Sequence, residues 1–281
     1  MTTFVFLAVL LAALCHAGWN VLIKVGLDPL AITTLITLGG AIVAIPLLPF
    51  AGVPHAAAWP WLIASVIIHL FYFAGLIESY RAGDLGQVYP IARGTAPLMT
   101  AGLATLAVGE HLNVLGRCGI VVLVLGVCLL SLRGGRDLAR FDHKAVGFAL
   151  FTAFTICTYS VVDGIGARAS ENPKAYVLWL FVGFALVVAP YAAFREGAGI
   201  FKPMLLYWRR GLIGGGMQVV SYGIALWAMT LAPIALVAAL RETSVLFGTL
   251  IAILVLKEPL RAVRIAAAVL IVAGLVLIRL Q

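Results

Sequence analysis

Arg93 stands in YPIARGTAPL (89–98) and Arg241 in VAALRETSVL (237–246), each surrounded by a long apolar stretch. A guanidinium is always charged and presents a planar fork of donors that matches a carboxylate or a phosphate. At mid-helix in a bilayer it costs about 2.5–3.5 kcal/mol on insertion scales, so it requires a partner or a ligand. Arg93 falls roughly seven residues, or ~10 Å, into its span. Backbone carbonyls or Glu78 on the preceding helix could hold it, and so could an anionic solute. Pro97 cannot donate to the carbonyl of Arg93, nor Pro90 to that of Gly86. The fourth helix is therefore expected to kink and to turn freed carbonyls towards a cavity.

Four polar stripes accompany the arginines. His16, Asn20 and Lys24 follow at steps of four, beside Trp19, and Thr155, Tyr159 and Asp163 repeat that step in the second half. Residues so spaced share one helical face. His69, Tyr72, Glu78 and Tyr80 form a third stripe, and Gln218, Ser221, Tyr222 and Trp227 a fourth. The candidate solute contacts are Arg93, Arg241, His16, Asn20, Tyr72, Tyr159, Gln218 and Tyr222. Glu78, His69 and Asp163 are candidates to carry a coupling proton, since buried carboxylates and imidazoles mark proton relays. Interhelical hydrogen bonds would draw on the same residue types.

Other chemistries lack their residues. His16, His55, His69, His111 and His143 are scattered, no acidic pair has metal spacing, and Cys15, Cys118, Cys128 and Cys157 lie singly in apolar segments. No metal, cofactor or disulfide is expected. No GxxxxGK[ST] loop suggests an ATP-driven pump, and no catalytic constellation suggests an enzyme.

The elements that must position these groups follow from composition. The chain is 63% hydrophobic and 11% charged, with a mean hydropathy of +1.12; soluble domains average about 45–50% and about 25%. This is an integral membrane protein whose solvent is the lipid bilayer. The formal charge of +8 is distributed between apolar blocks, as in loops on an anionic membrane surface, and does not point to nucleic acid. The opening MTTFVFLAVLLAALCHAGWN has no Lys or Arg before its apolar core, so it reads as a retained helix rather than a signal peptide.

A span needs about 20 apolar residues. Breaks at charges, Pro and Gly give ten: about 3–23, 30–50, 60–80, 86–108, 112–132, 145–166, 174–194, 209–230, 233–256 and 260–279. Shifting the chain by 148 residues aligns RGTAPLMTAGLATLAVGEHL (93–112) with RETSVLFGTLIAILVLKEPL (241–260) without a gap. Arg93 falls on Arg241, Glu110 on Glu258, and Gly126 on Gly274. Five spans per half is an odd number, so the second half enters the membrane inverted, a recurring transporter design. The expected fold is thus all-α, with ten transmembrane helices in two inverted five-helix repeats: 1–133 and 145–281, joined by a basic loop at 134–144. Glu110 and Glu258 are expected to cap the helices that follow them. The positive-inside count favours both termini outside.

The ten spans, with GEHL and KEPL closing the fourth helix of each half, resemble the EamA branch of the drug/metabolite transporter superfamily. HAGWNVLIK (16–24) and YPIARGTAP (89–97) are similar to segments of bacterial members. The resemblance implies a multi-pass protein of the cell inner membrane that moves a small solute, often by export of amino acids or related metabolites, with cytoplasmic termini. An amino-acid-like solute is the leading expectation. An organic anion such as a phosphonate or phosphate ester is the alternative, since HAGWN and YPIARG also resemble permeases associated with phosphonate use. A monomer and a homodimer both fit the sequence.

Overall fold

The computed structural model describes residues 1–22, 27–82, 85–131, 143–256 and 262–281. Lys24, Glu258 and most of the basic connection (134–142) lie outside the described residues, as does the side chain of Tyr80. Among the described residues every regular element is helical. The principal helices are α1 (Thr3–Leu22), α2 (Pro29–Ala44), α3 (Trp59–Ala82), α4 (Leu85–Val108), α5 (Val114–Ser131), α6 (His143–Ala169), α7 (Pro173–Glu196), α8 (Trp208–Leu231), α9 (Ile234–Arg241), α10 (Ser244–Leu256) and α11 (Ala262–Leu280). Nine stretches of the described chain are long and apolar enough to cross a membrane, and Val114–Leu130 is a shorter apolar helix.

Helices are the outcome that lipid permits, because backbone amides there must pair within their own segment. Their ends follow local chemistry. Asp28 caps α2, its carboxylate accepting from the Leu30 amide at 2.8 Å, with Pro29 at the first position. Asn172 caps α7 in the same way through the Ala175 amide at 3.2 Å, followed by Pro173. Threonines inside the spans return their hydroxyls to their own helix, as Thr34 does to the Leu30 carbonyl and Thr100 to that of Ala96.

The helices pack across the two halves. α1 lies on α8, α3 on α6, α4 on α6, α2 on α7 and α8, and α5 on α11. The last contact is reciprocal. A Cβ on Gly126 would stand 2.8 Å from the Ile271 nitrogen, and one on Gly274 would stand 2.7 Å from the Leu123 nitrogen. Gly274 and Ile271 lie 148 residues after Gly126 and Leu123. Gly119 meets Ile278 in the same way, at 2.9 Å from its nitrogen. Partner numbers fall as the α5 number rises, so equivalent helices run antiparallel, with equivalent residues exchanging places.

α4 continues as helix through Pro90 and Pro97. A break in the helical ladder falls in the second half, at Glu242 and Thr243, between α9 and α10. There the amides of Glu242 and Thr243 bond three residues back, to Ala239 and Leu240, and the Thr243 hydroxyl also takes the Leu240 carbonyl at 2.7 Å. These tightened turns end the α-helical ladder without a proline.

The expectation for Glu110 is corrected. Its carboxylate accepts from the amides of Ile234 (2.8 Å) and Ala235 (3.3 Å), and from Arg168 Nη2 at 2.8 Å. It caps α9 of the opposite half rather than α5, which follows it. α5 is capped by Asn113, whose side-chain oxygen accepts from the Gly116 amide at 2.8 Å. Arg168 also donates to the carbonyls of Met229 and Ala232, so one carboxylate and one guanidinium tie the α8–α9 corner to both halves.

Candidate functional site

The break after Arg241 opens onto a small cavity where α1, α4, α6 and α9 meet. His16 enters from α1, Arg93 and Thr100 from α4, Tyr159 and Ser160 from α6, and Arg241 from α9, with Glu242 at the break. The two arginines that the sequence aligned therefore share one chamber, each brought by the equivalent helix of its own half.

Their environments differ. Arg93 Nε lies 2.9 Å from Glu242 Oε2 with both side chains largely buried, and Arg93 Nη2 donates to Ser244 Oγ at 3.1 Å. The α4 arginine is thus neutralised from the opposite half, by the residue next to Arg241. Glu78, one of the partners that the sequence offered for it, lies 3.5 Å from Arg195 in a half-exposed pair. Arg241 has no carboxylate partner among the described residues. Its guanidinium sits over the Tyr222 ring, 5.0 Å from the centroid, and its Nε is buried without a hydrogen-bond partner among them.

Behind Arg241 stands an aromatic and acidic layer. Asp163 is fully buried and accepts from Tyr176 OH at 2.9 Å and, in a short contact, from Tyr222 OH; Ser65 bonds to it as well. His69 stacks on Tyr159 at 4.1 Å between centroids, and Tyr72 meets Tyr159 edge-on at 5.6 Å. His69 Nδ1 lies 2.9 Å from the Ser65 carbonyl, a bond within its own helix.

Of the eight expected solute contacts, the structure brings His16, Arg93, Tyr159 and Arg241 to the cavity wall. Tyr222 and Tyr72 form the layer behind it. Asn20 is exposed and donates to the His16 carbonyl at 2.7 Å, and Gln218 lies one helical turn before Tyr222, outside the cavity lining. Asp163 shares a face with Tyr159 but is withdrawn behind Tyr222, and Thr155 bonds the Thr152 carbonyl. The fourth stripe includes an interhelical bond, Ser221 Oγ to the Ala12 carbonyl at 2.7 Å. Thr100, Ser160, Ser244, Ser65 and Tyr176 carry no sequence signal that separates them from ordinary helix residues. The adjacency of Glu242 to Arg241 was such a signal. Among the described residues no cluster of His, Cys, Asp and Glu could hold a metal.

An all-helical bundle of apolar spans around a buried, charged cavity is the build of a multi-pass membrane transport protein. The chain belongs to the EamA-like transporter family, whose model matches it twice, at residues 3–132 and 143–280. It is accordingly a membrane transporter of the drug/metabolite type, a family of transporters rather than enzymes. A solved crystal structure is similar over 99% of this chain and 96% of that chain, with a TM-score of 0.78 and 20% identity. At that identity the likeness establishes the fold alone. A search of curated proteins finds no match.

Proposed function

We propose that this protein is a secondary transporter that carries a small polar, amino-acid-like solute by alternating access between two inverted five-helix repeats. The observation that carries this reading is the cavity holding Arg93 and Arg241, built by helices of both halves around a helix break. Broken helices at a repeat interface are where transporters of this design hold solutes. The antiparallel, reciprocal register of α5 on α11 supports the inversion. A twofold that sends each of these helices onto the other with reversed direction must lie across the helices, in the membrane plane. The packing of α1 on α8 has its equivalent in that of α6 on α3, as the same axis requires.

In this reading Arg241 receives the solute's carboxylate, and Tyr159, Ser160, Thr100 and His16 hold its remaining polar groups. A second reading, an organic anion such as a phosphonate or phosphate ester, is favoured by one observation: Glu242 already faces Arg93, which leaves an ammonium group little to pair with. The test is a thermal-shift screen of amino acids, phosphonates and organic phosphates on the purified protein and on Arg241→Gln. Stabilisation by one class that vanishes in the variant is expected. Stabilisation that survives the substitution would remove Arg241 from the site.

A further inference from the structure

The cavity and the layer behind it hold four charges in two sets. Arg93 and Glu242 form one ion pair. Arg241 and Asp163 make up the other set without touching each other: the Tyr222 ring lies under the guanidinium and the Tyr222 hydroxyl donates to the carboxylate. With the imidazoles neutral, the four charges sum to zero when Asp163 is ionised and to one positive charge when it is protonated. A low-dielectric enclosure penalises any net charge it cannot pair. An anion arriving at Arg241 would leave the enclosure negative unless a proton arrived as well.

We propose, resting on the reading that Arg241 contacts the solute, that an anionic solute on Arg241 and a proton on Asp163 bind together, linked through Tyr222. Asp163 can accommodate both charge states. Its neighbours are the hydroxyls of Ser65, Tyr176 and Tyr222, and a hydroxyl can turn from donor to acceptor when the carboxyl gains its proton. Of the other titratable or charged groups around it, Arg241 of α9 acts on it electrostatically, and His69 of α3 and Tyr159 of its own helix stand against the Tyr222 ring. On the α4 side stands Arg93, already engaged by Glu242. The proton moves from bulk water to an Asp163 oxygen, and no covalent bond to the solute forms. Reciprocity follows: whatever factor protonation adds to anion affinity, the anion adds to proton affinity. Solute and proton then cross in the same direction, so an inward proton gradient would draw the solute inward, the reverse of the export that the family resemblance implied.

Calorimetric titration of the full chain in lipid nanodiscs tests this with formate, lactate and methanesulfonate, all monoanions between about pH 5.5 and 8.5. Repeating each titration in buffers of different ionisation enthalpy counts protons. Uptake should rise towards one proton per anion as pH rises, with Kd weakening by up to about tenfold per pH unit. Alanine, which brings its own positive charge, should bind without uptake. Asp163→Asn should bind the anions with a flat pH profile. Anion binding without proton uptake in the unaltered protein overturns the linkage alone, whether or not the variant folds. Uptake that persists in a folded Asp163→Asn protein overturns the assignment to Asp163. If none of the three anions binds, the anion-site reading fails and the linkage falls with it.

Discussion

Replacing Glu110 should loosen the protein at a point far from its own helix. The carboxylate holds two amides at the start of α9 and one guanidinium of α6. Glu110→Gln retains one oxygen for the amides but loses the charge. A negative charge at a helix N-terminus contributes about 0.3–1 kcal/mol, up to ~2 when partly buried. The Arg168 pair adds less than a buried one would, because Arg168 is 34% exposed and solvent screens it; about 0.5–1 kcal/mol is reasonable. The expected loss for Gln is therefore about 1–2 kcal/mol. Glu110→Ala removes the cap as well, a further ~1 kcal/mol, and brings the total to about 2–3 kcal/mol. At the roughly 2–4 °C per kcal/mol seen for large domains, these are drops of several degrees in apparent Tm, readable by tryptophan fluorescence in detergent. A double-mutant cycle with Arg168→Met should show coupling of about 0.5–1 kcal/mol. Asn113→Ala is the control, because it removes the cap that α5 uses. If Glu110→Ala melts with the unaltered protein while a cycle with Asn113→Ala shows strong coupling, Glu110 serves the helix that follows it and the cross-repeat cap is refuted.

Arg93→Gln should destabilise the fold by about 3–5 kcal/mol, because it leaves Glu242 buried without its cation; the double variant with Glu242→Gln should recover most of that loss on thermal unfolding. Arg241→Gln, by contrast, should keep its melting temperature within a few degrees while losing anion-dependent protection. Gly274→Ala and Gly126→Ala should each cost about 1–3 kcal/mol from overpacking against backbone, with similar magnitudes because the two sites are equivalent. Unequal losses, or tolerance of both, would count against the reciprocal α5–α11 register.

The resulting division of labour is physical. Spacing along a single helix is local, so hydropathy and the breaks between apolar runs located candidate spans, of which the described chain shows nine long enough to cross a membrane and one shorter apolar helix. The matching Arg93 and Arg241 marked the two halves, and GEHL and KEPL the family resemblance, without any tertiary information. Gly126 and Gly274 were visible as a sequence pair for the same reason. Which residues meet between helices depends on rotation and depth, and these are set by packing. That is why Arg93 pairs with Glu242 of the opposite half and Glu78 with Arg195. It is also why Glu110 caps a helix 124 residues away instead of the one beside it. The two prolines of α4 lie within a continuous helix, and the ladder yields at Glu242 and Thr243, where the chain places a carboxylate against the opposite arginine. Asp163 lay on the same stripe as Tyr159, and only the tertiary structure shows that it is absent from the cavity wall, with its carboxylate taken by the Tyr222 hydroxyl.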